Sequence, residues 1–205
     1  MKFFKQLKLA AIALAFGVTG AQAATVGLPM LIEEGSVPNS GGSSLFWADQ
    51  LSGQYDEVVT FQDATHFTTV AIFRAGAWYR NGSVVTEGQI LNTADSRGGY
   101  NLYAKFIGSG TYSTSVVDGN IVTTFSATQN AIQLWVDEKR DTVYEIPASV
   151  GATPAMSDLS LVSGSLTDDY MLGSASTTVA AGGNSNTGLA NGNFEIIFGG
   201  FSLTD

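Results

Sequence analysis

The stretch Tyr112-Ser113-Thr114-Ser115-Val116-Val117-Asp118-Gly119-Asn120-Ile121-Val122-Thr123-Thr124-Phe125 decides the fold class. Asp-Gly supplies the positive φ angles of a type I′ turn. Closing on that turn pairs Val116 with Ile121, Thr114 with Thr123 and Tyr112 with Phe125 on one face. Ser115 with Val122 and Ser113 with Thr124 fall on the other. The first face is the greasier, as a half-buried antiparallel pair requires.

The pattern continues outward in both directions. Asn81-Gly82 predicts a second hairpin, between Ala77–Arg80 and Ser83–Thr86. Both of its faces carry apolar residues, so burial on both sides is expected. A third hairpin is expected from Ile132–Val136, through a turn at Asp137–Asp141, to Thr142–Ile146. Ile132, Leu134 and Val136 would face inward, leaving Trp135 on the opposite face. Further strands are expected at Leu45–Asp49, Glu57–Phe61, Phe67–Phe73, Tyr100–Ile107, Leu159–Leu166, Tyr170–Ser174 and Phe194–Phe198. Loops are expected at Asn39–Ser44 and Gly182–Gly188. Short strands rich in Val, Ile, Phe, Tyr and Thr, with no helical pattern between them, predict an all-β fold. The expected architecture is an antiparallel β-sandwich, jelly-roll-like or similar, in preference to a barrel.

The first residues have a different character. Lys2, Lys5 and Lys8 precede an uncharged, mostly apolar run from Leu9 to Gly20, and Ala21-Gln22-Ala23 follows as a small-residue cleavage site. This is the three-part pattern of a secretory signal. The apolar run is shorter than the roughly 20 residues of a membrane span. Residues 1–23 are therefore expected to be cleaved, and 24–205 to form one β domain. The chain stops at Asp205, just past the expected strand Phe194–Phe198. That predicts either a fragment or a weakly anchored last strand.

Charge and composition narrow the function. Removing 1–23 takes three of the nine basic residues and none of the 18 acidic ones, so the net charge goes from −9 to −12. A nucleic-acid partner is excluded on this ground, since phosphate binding needs a cationic surface. An anionic membrane surface is disfavoured, and no stable membrane insertion of 24–205 is expected. There is no cysteine. Disulfides, Cys-ligated metals and thiol nucleophiles are thereby excluded.

No constellation of residues announces chemistry. His66 is the sole histidine and reads as an exposed loop residue in Asp63-Ala64-Thr65-His66-Phe67. No Gly-x-Ser-x-Gly elbow accompanies it. Glu33-Glu34, Asp56-Glu57 and Asp168-Asp169 are sequential carboxylate pairs. Neighbours on a strand point to opposite faces, so such pairs do not form a catalytic couple. Asp137-Glu138-Lys139-Arg140-Asp141 lacks the Asp/Asn spacing and the glycine of a calcium loop, and its two cations oppose a metal. No catalytic residue, no metal ligand and no cofactor is expected. Trp135, Trp78 and Trp47 are the candidate platforms for sugar rings, with Trp135 the best placed for exposure. Aromatics are also core fillers, and that use is the commoner one.

Five segments, in order, resemble one family. They are Ile32–Pro38, with its Glu-Gly-Ser-Val-Pro; Leu45–Val58, with Phe-Trp-Ala-Asp; and Tyr100–Thr111, ending Gly-Ser-Gly-Thr. Leu134-Trp135-Val136-Asp137 and Gly188–Glu195, with Gly-Leu-Ala-Asn-Gly-Asn-Phe-Glu, complete the set. Together they resemble the flocculation-associated PEP-CTERM proteins of floc-forming Gram-negative bacteria. The resemblance implies an exported, non-enzymatic cell-surface or matrix protein that supports aggregation with exopolysaccharide. Its implied partners are exopolysaccharide or neighbouring surface proteins. It supplies no catalytic residues. The family's Pro-Glu-Pro sorting tail is absent from this sequence, which implies a truncated chain or a relative released without the tail. Alternative readings are a lectin-like carbohydrate-binding sandwich, a small outer-membrane barrel and a secreted hydrolase. The first predicts exposed tryptophans in a row on one sheet face, and the second predicts lipid-facing strands of about 9–11 residues.

Overall fold

The computed structural model describes residues 13–16, 29–37, 45–86, 91, 99–117, 120–176, 178–186, 192–198 and 202–203. In chain order the strands are β1 (Ala13–Phe16), β2 (Met30–Glu33), β3 (Leu45–Ala48), β4 (Gln50–Phe61) and β5 (His66–Arg80). They continue with β6 (Ser83–Val84), β7 (Asn101–Val117), β8 (Asn120–Asp137), β9 (Val143–Glu145) and β10 (Ser160–Ser163). β11 (Asp169–Ala175), β12 (Thr178–Asn186), β13 (Gly192–Phe198) and β14 (Ser202–Leu203) complete the set. Short 3-10 turns at Glu34–Ser36 and Met156–Asp158 are the only helical segments among the described residues. The chain is an all-β, sandwich-like fold.

One large antiparallel sheet organises it, in the order β1-β13-β12-β8-β7-β5-β4, and among the described residues it does not close into a barrel. Half of the neighbouring pairs, β4–β5, β7–β8 and β12–β13, are consecutive in the chain, and the other half join strands that are not. Small sheets cover its two faces. On one face the β2–β3 hairpin sets Phe46 and Ala48 against Phe73, Ala75, Trp78, Leu102, Ala104, Phe106, Ile132 and Val136. On the other, β9 and the segment that follows it set Tyr144, Val150 and Leu159 against Val70, Ile72 and Tyr103. Strand β5 therefore lies between two covers. Its run Phe67-Thr68-Thr69-Val70-Ala71-Ile72-Phe73 is buried at every position, which is why it reads as continuous rather than alternating.

The β7–β8 hairpin has the expected register, Val116↔Ile121, Thr114↔Thr123 and Tyr112↔Phe125. Asp118 and Gly119 themselves lie outside the described residues. The burial differs from expectation. Tyr112 and Phe125 are half-buried beside Phe61 and Phe67, but Val116 is 72 % exposed because β5 ends at His66, opposite Thr111. The second hairpin turns at Asn81 and Gly82, whose φ values of 52° and 75° suit a type I′ turn. Only one of its faces is buried: Trp78 is covered, while Val84 is exposed.

The third expected hairpin does not form. β9 pairs with β10, because both edges of β8 at 132–137 are already taken, by β7 and by β11. Asp137 then turns the chain away from the sheet. Gly182–Asn186, expected as loop, is strand, and pairs with Ser126–Val122 of β8. β13 pairs with β12 and, in the whole chain, with β1, and β14 pairs with Gly173–Ser174. Ala13–Phe16 falls inside the segment read as an export signal, and in the whole chain it is a sheet strand. The rest of 1–23, and the expected loop Asn39–Ser44, lie outside the described residues.

Candidate functional site

The alternation of a strand puts residues two apart on one face. On β7 that places Tyr103, Lys105, Ile107 and Ser109 together, and on β8 Trp135, Gln133, Ala131 and Gln129 opposite them, rung by rung. The upper rung is aromatic. Trp135 lies parallel to Tyr103, with an angle of 2° between rings and 6.3 Å between centroids. Tyr144, delivered by β9, closes the third side at 5.5 Å from Tyr103. Arg74 holds β9 there by donating to the Tyr144 carbonyl at 2.9 Å while pairing with Asp56.

Lys105 projects into this aromatic corner. Its Nζ lies 4.1 Å from the Tyr144 ring centre and 5.2 Å from that of Trp135. Ring quadrupoles attract such a cation, by about 0.5–2 kcal/mol depending on desolvation. Among the described residues it has no carboxylate partner. Lower on the same rows, Ile107, Ser109, Gln129 and Ala131 floor a cleft of about 240 Å³ walled by Ala152, Thr153 and Pro154. The wall is anchored by Gln62, which donates to the Val150 carbonyl at 2.9 Å, and by Thr60, which accepts from Val150 N at 2.9 Å.

The three tryptophans do not form a row. Trp135 is half-buried on this face. Trp78 is buried in the opposite core, edge-on to Phe46. Trp47 is 46 % exposed on the outer side of the β2–β3 hairpin, opposite Leu31. Trp135 thus shares a face with this cleft. The sequence reading missed Lys105, Tyr103 and Tyr144. Lys105 had a signal: it stands between Tyr103 and Ile107 on one face of the strand.

His66 is exposed, and its Nδ1 contacts both Asp63 Oδ2 at 2.8 Å and Thr65 Oγ1 at 3.1 Å. A catalytic triad needs the carboxylate on one ring nitrogen and the hydroxyl on the other. Both fall on one nitrogen here, so the group is a loop clamp. Backbone donation from Thr65, then the His66 side chain, holds the exposed Asp63 carboxyl down at about 2.

The sequential carboxylate pairs split, Asp56 and Glu57 by the alternation of β4 and the others at the ends of strands. Glu33 is exposed, while Glu34 is buried and accepts from Tyr100 Oη at 2.8 Å. Asp56 pairs with Arg74 on one face, and Glu57 accepts from Thr69 Oγ1 on the other. Asp168 pairs with Lys139 at 3.0 Å, and Asp169 accepts from Tyr103 Oη at 2.7 Å and Thr142 Oγ1 at 3.0 Å.

Asp137, Asp141 and Asp168 bring carboxylate oxygens within 4.8 Å of one another. The donor set argues against a cation. Asp137 Oδ1 accepts from the backbone of Arg140 and Asp141, Oδ2 accepts from Thr142 N, and Lys139 Nζ occupies Asp168. Asp137 is a turn-holder, 1 % exposed. Asp137→Asn turns one acceptor oxygen into a donor that faces an N–H. A loss of about 2–3 kcal/mol is expected, from an unmet buried hydrogen bond to a charged group, seen as a lower Tm.

Burial raises the carboxyl pKa values of Glu57, Asp137 and Asp169 above their ordinary values. A carboxyl raised by folding contributes stability that is complete below its unfolded pKa and is lost as pH rises through the folded one. Asp63 works in the opposite sense, its contribution being lost as pH falls from about 4 toward 2. Tm is therefore expected to rise as pH falls from neutral toward the ordinary carboxylate range and to fall again below about pH 4. Glu57→Gln, which keeps an acceptor for Thr69, flattens the upper limb in a calorimetric pH series.

Comparison with family models, curated proteins and solved structures gave no match. Among the described residues no helix is long and apolar enough to cross a membrane.

Proposed function

We propose that this is an exported, non-enzymatic cell-surface or matrix protein that supports cell aggregation by holding exopolysaccharide. The observation that carries the reading is the corner at Trp135: a ring face, a cation and amide groups lie beside a cleft. Among the described residues no pair of free carboxylates faces the corner: His66 is held in its loop clamp, Asp56 and Asp168 in ion pairs, and Asp169, beside the corner, accepts from Tyr103 and Thr142. The resemblance of the five sequence segments to flocculation-associated proteins points the same way, as does the export signal. Single contacts of this kind are weak, and many copies on one surface make them strong by raising effective concentration.

The carbohydrate-binding alternative is the same reading with a defined ligand, and Trp135 favours it. Deleting the gene in its host is expected to slow settling of the culture while exopolysaccharide yield stays unchanged. A deletion strain that settles like the parent would overturn the proposal.

A further inference from the structure

The floor of the candidate site runs Trp135, Gln133, Ala131, Gln129 on β8 and Tyr103, Lys105, Ile107, Ser109 on β7. Six residues of strand separate Trp135 from Gln129, a length of about 20 Å. The row is open along its middle. Lys105, Gln133, Ala131 and Ser109 are partly exposed and Gln129 is exposed. Such a track suits an extended oligomer better than a compact molecule. Its polar groups are neutral apart from one. Trp135 Nε1 donates to Gln133 Oε1 at 3.4 Å, so the Gln133 amide nitrogen remains a donor toward the track.

Lys105 is the feature that sets the ligand's chemistry. This chain has twice as many acidic residues as basic ones, 18 against 9. Elsewhere Arg74 and Lys139 have found carboxylates. Among the described residues Lys105 meets ring faces and no carboxylate, at 4.1 Å for Tyr144, 5.2 Å for Trp135 and 6.0 Å for Tyr103. Rings offset part of the cost of desolvating an ammonium, but they do not neutralise it. A ligand carboxylate would complete the ammonium's shell, with a charge-assisted hydrogen bond. The face of the same sugar, or of its neighbour, would lie against Trp135. Gln133, Gln129 and Ser109 would meet hydroxyls.

We propose that this track binds a uronate-containing polysaccharide, with Lys105 on a sugar carboxylate and Trp135 beneath a ring. The inference rests on the proposed polysaccharide-holding role and names its ligand class. The overall negative charge of the chain opposes a polyanion at long range. Salt confines that opposition to about 8 Å at physiological ionic strength, so binding per site is modest and depends on repetition along the polymer.

The test uses the full chain and short oligomers of galacturonate, glucuronate and mannuronate, each as the free acid and as the methyl ester, titrated calorimetrically. At least one free acid is expected to bind at least tenfold tighter than its ester. Lys105→Met keeps the aliphatic stem against the rings and is expected to abolish that preference. Lys105→Arg keeps the charge and is expected to retain it. Gln133→Ala, a smaller change on the partly exposed row, is expected to weaken acid and ester alike by severalfold. The result is read only on variants whose circular dichroism matches the parent, and Gln133→Ala serves if Lys105→Met does not fold. No binding of any oligomer, equal binding of acid and ester, or a preference that survives Lys105→Met overturns the inference. So does unchanged binding in Gln133→Ala. These failures leave the aggregation reading standing if the deletion strain still settles slowly. That reading falls on a normal-settling deletion strain, whatever the oligomers do.

Discussion

Gly110→Ala is expected to lower Tm by about 10 °C. Between Ser109 and Gly110 the β7–β8 register shifts: Ser109 faces Gln129, Gly110 faces Ala127, and Thr128 is the extra residue. A bulge bends and twists the strand that carries it, here β8. A Cβ on Gly110 would overlap the Ser126 carbonyl oxygen and lie 2.6 Å from Ala127 Cα. Those atoms are backbone, held in place by two flanking ladders, so no side-chain rotation relieves the clash. Overpacking costs about 1–3 kcal/mol and sometimes more. A rigid neighbour puts this case at the upper end, and each kcal/mol moves Tm by about 2–4 °C for a chain of this size. Gly151→Ala is the control. Nothing lies within 4 Å of its added Cβ, and Tm is expected to move by less than about 2 °C. Thermal melts of the two variants side by side check the bulge. Equal Tm values would mean that the β7–β8 register is wrong.

Phe106→Ala is expected to cost about 3–5 kcal/mol. Phe106 is buried on the β2–β3 side of the sheet, pairs with Ala71 on β5 and Ile132 on β8, and its ring reaches over Gly108. Removing the ring leaves a cavity among residues that two paired strands hold apart, so collapse is limited. Val116→Ala should cost under about 0.5 kcal/mol, because Val116 is 72 % exposed at the hairpin tip. Both residues lie on the same face of β7, ten positions apart. Denaturant unfolding of the pair therefore maps where along one strand the core ends. Comparable losses at both positions would show that the tip is covered in solution.

Turn chemistry was the legible part of the fold. Asp118-Gly119 set the β7–β8 register to the residue, and Asn81-Gly82 has the backbone angles its composition requires. Strand length was not legible. Gly108-Ser109-Gly110 and Ser126-Ala127-Thr128-Gln129-Asn130 look like interruptions by composition. They are strand interior, and the glycines are there because Cβ atoms would strike Asn130, Ser126 and Ala127. Gly182–Asn186 misleads for the same reason: glycine and asparagine stand where two neighbours supply the ladder. The failed third hairpin shows the limit of local reading. Thr142–Ile146 has a strand's composition, but its partner is decided by β7 and β11, which fill the edges of β8 first.

Three acidic residues of the segments that carry the resemblance are tied to other parts of the chain. Glu34, from the Glu-Gly-Ser-Val segment, accepts from Tyr100 of the segment ending Gly-Ser-Gly-Thr. Asp49, from Phe-Trp-Ala-Asp, accepts from Asn81 N at 2.8 Å. Asp137, last of Leu-Trp-Val-Asp, holds the turn that releases β9. Each is a fastening of the fold. The candidate site was legible in one residue, Trp135, whose face followed from Ile132 and Val136. Lys105 and Tyr144 were not, because the corner needs β9 folded over the sheet, and nothing local predicts that crossing.

Retention without cleavage is the central claim, and one measurement tests it most directly. Purified protein is mixed with the exopolysaccharide of its own host, the complex is sedimented, and the polymer is then sized by chromatography. The account predicts that protein and polymer sediment together and that the polymer's size distribution is unchanged after long incubation. Protein left in the supernatant, or a polymer shortened by the incubation, would contradict it.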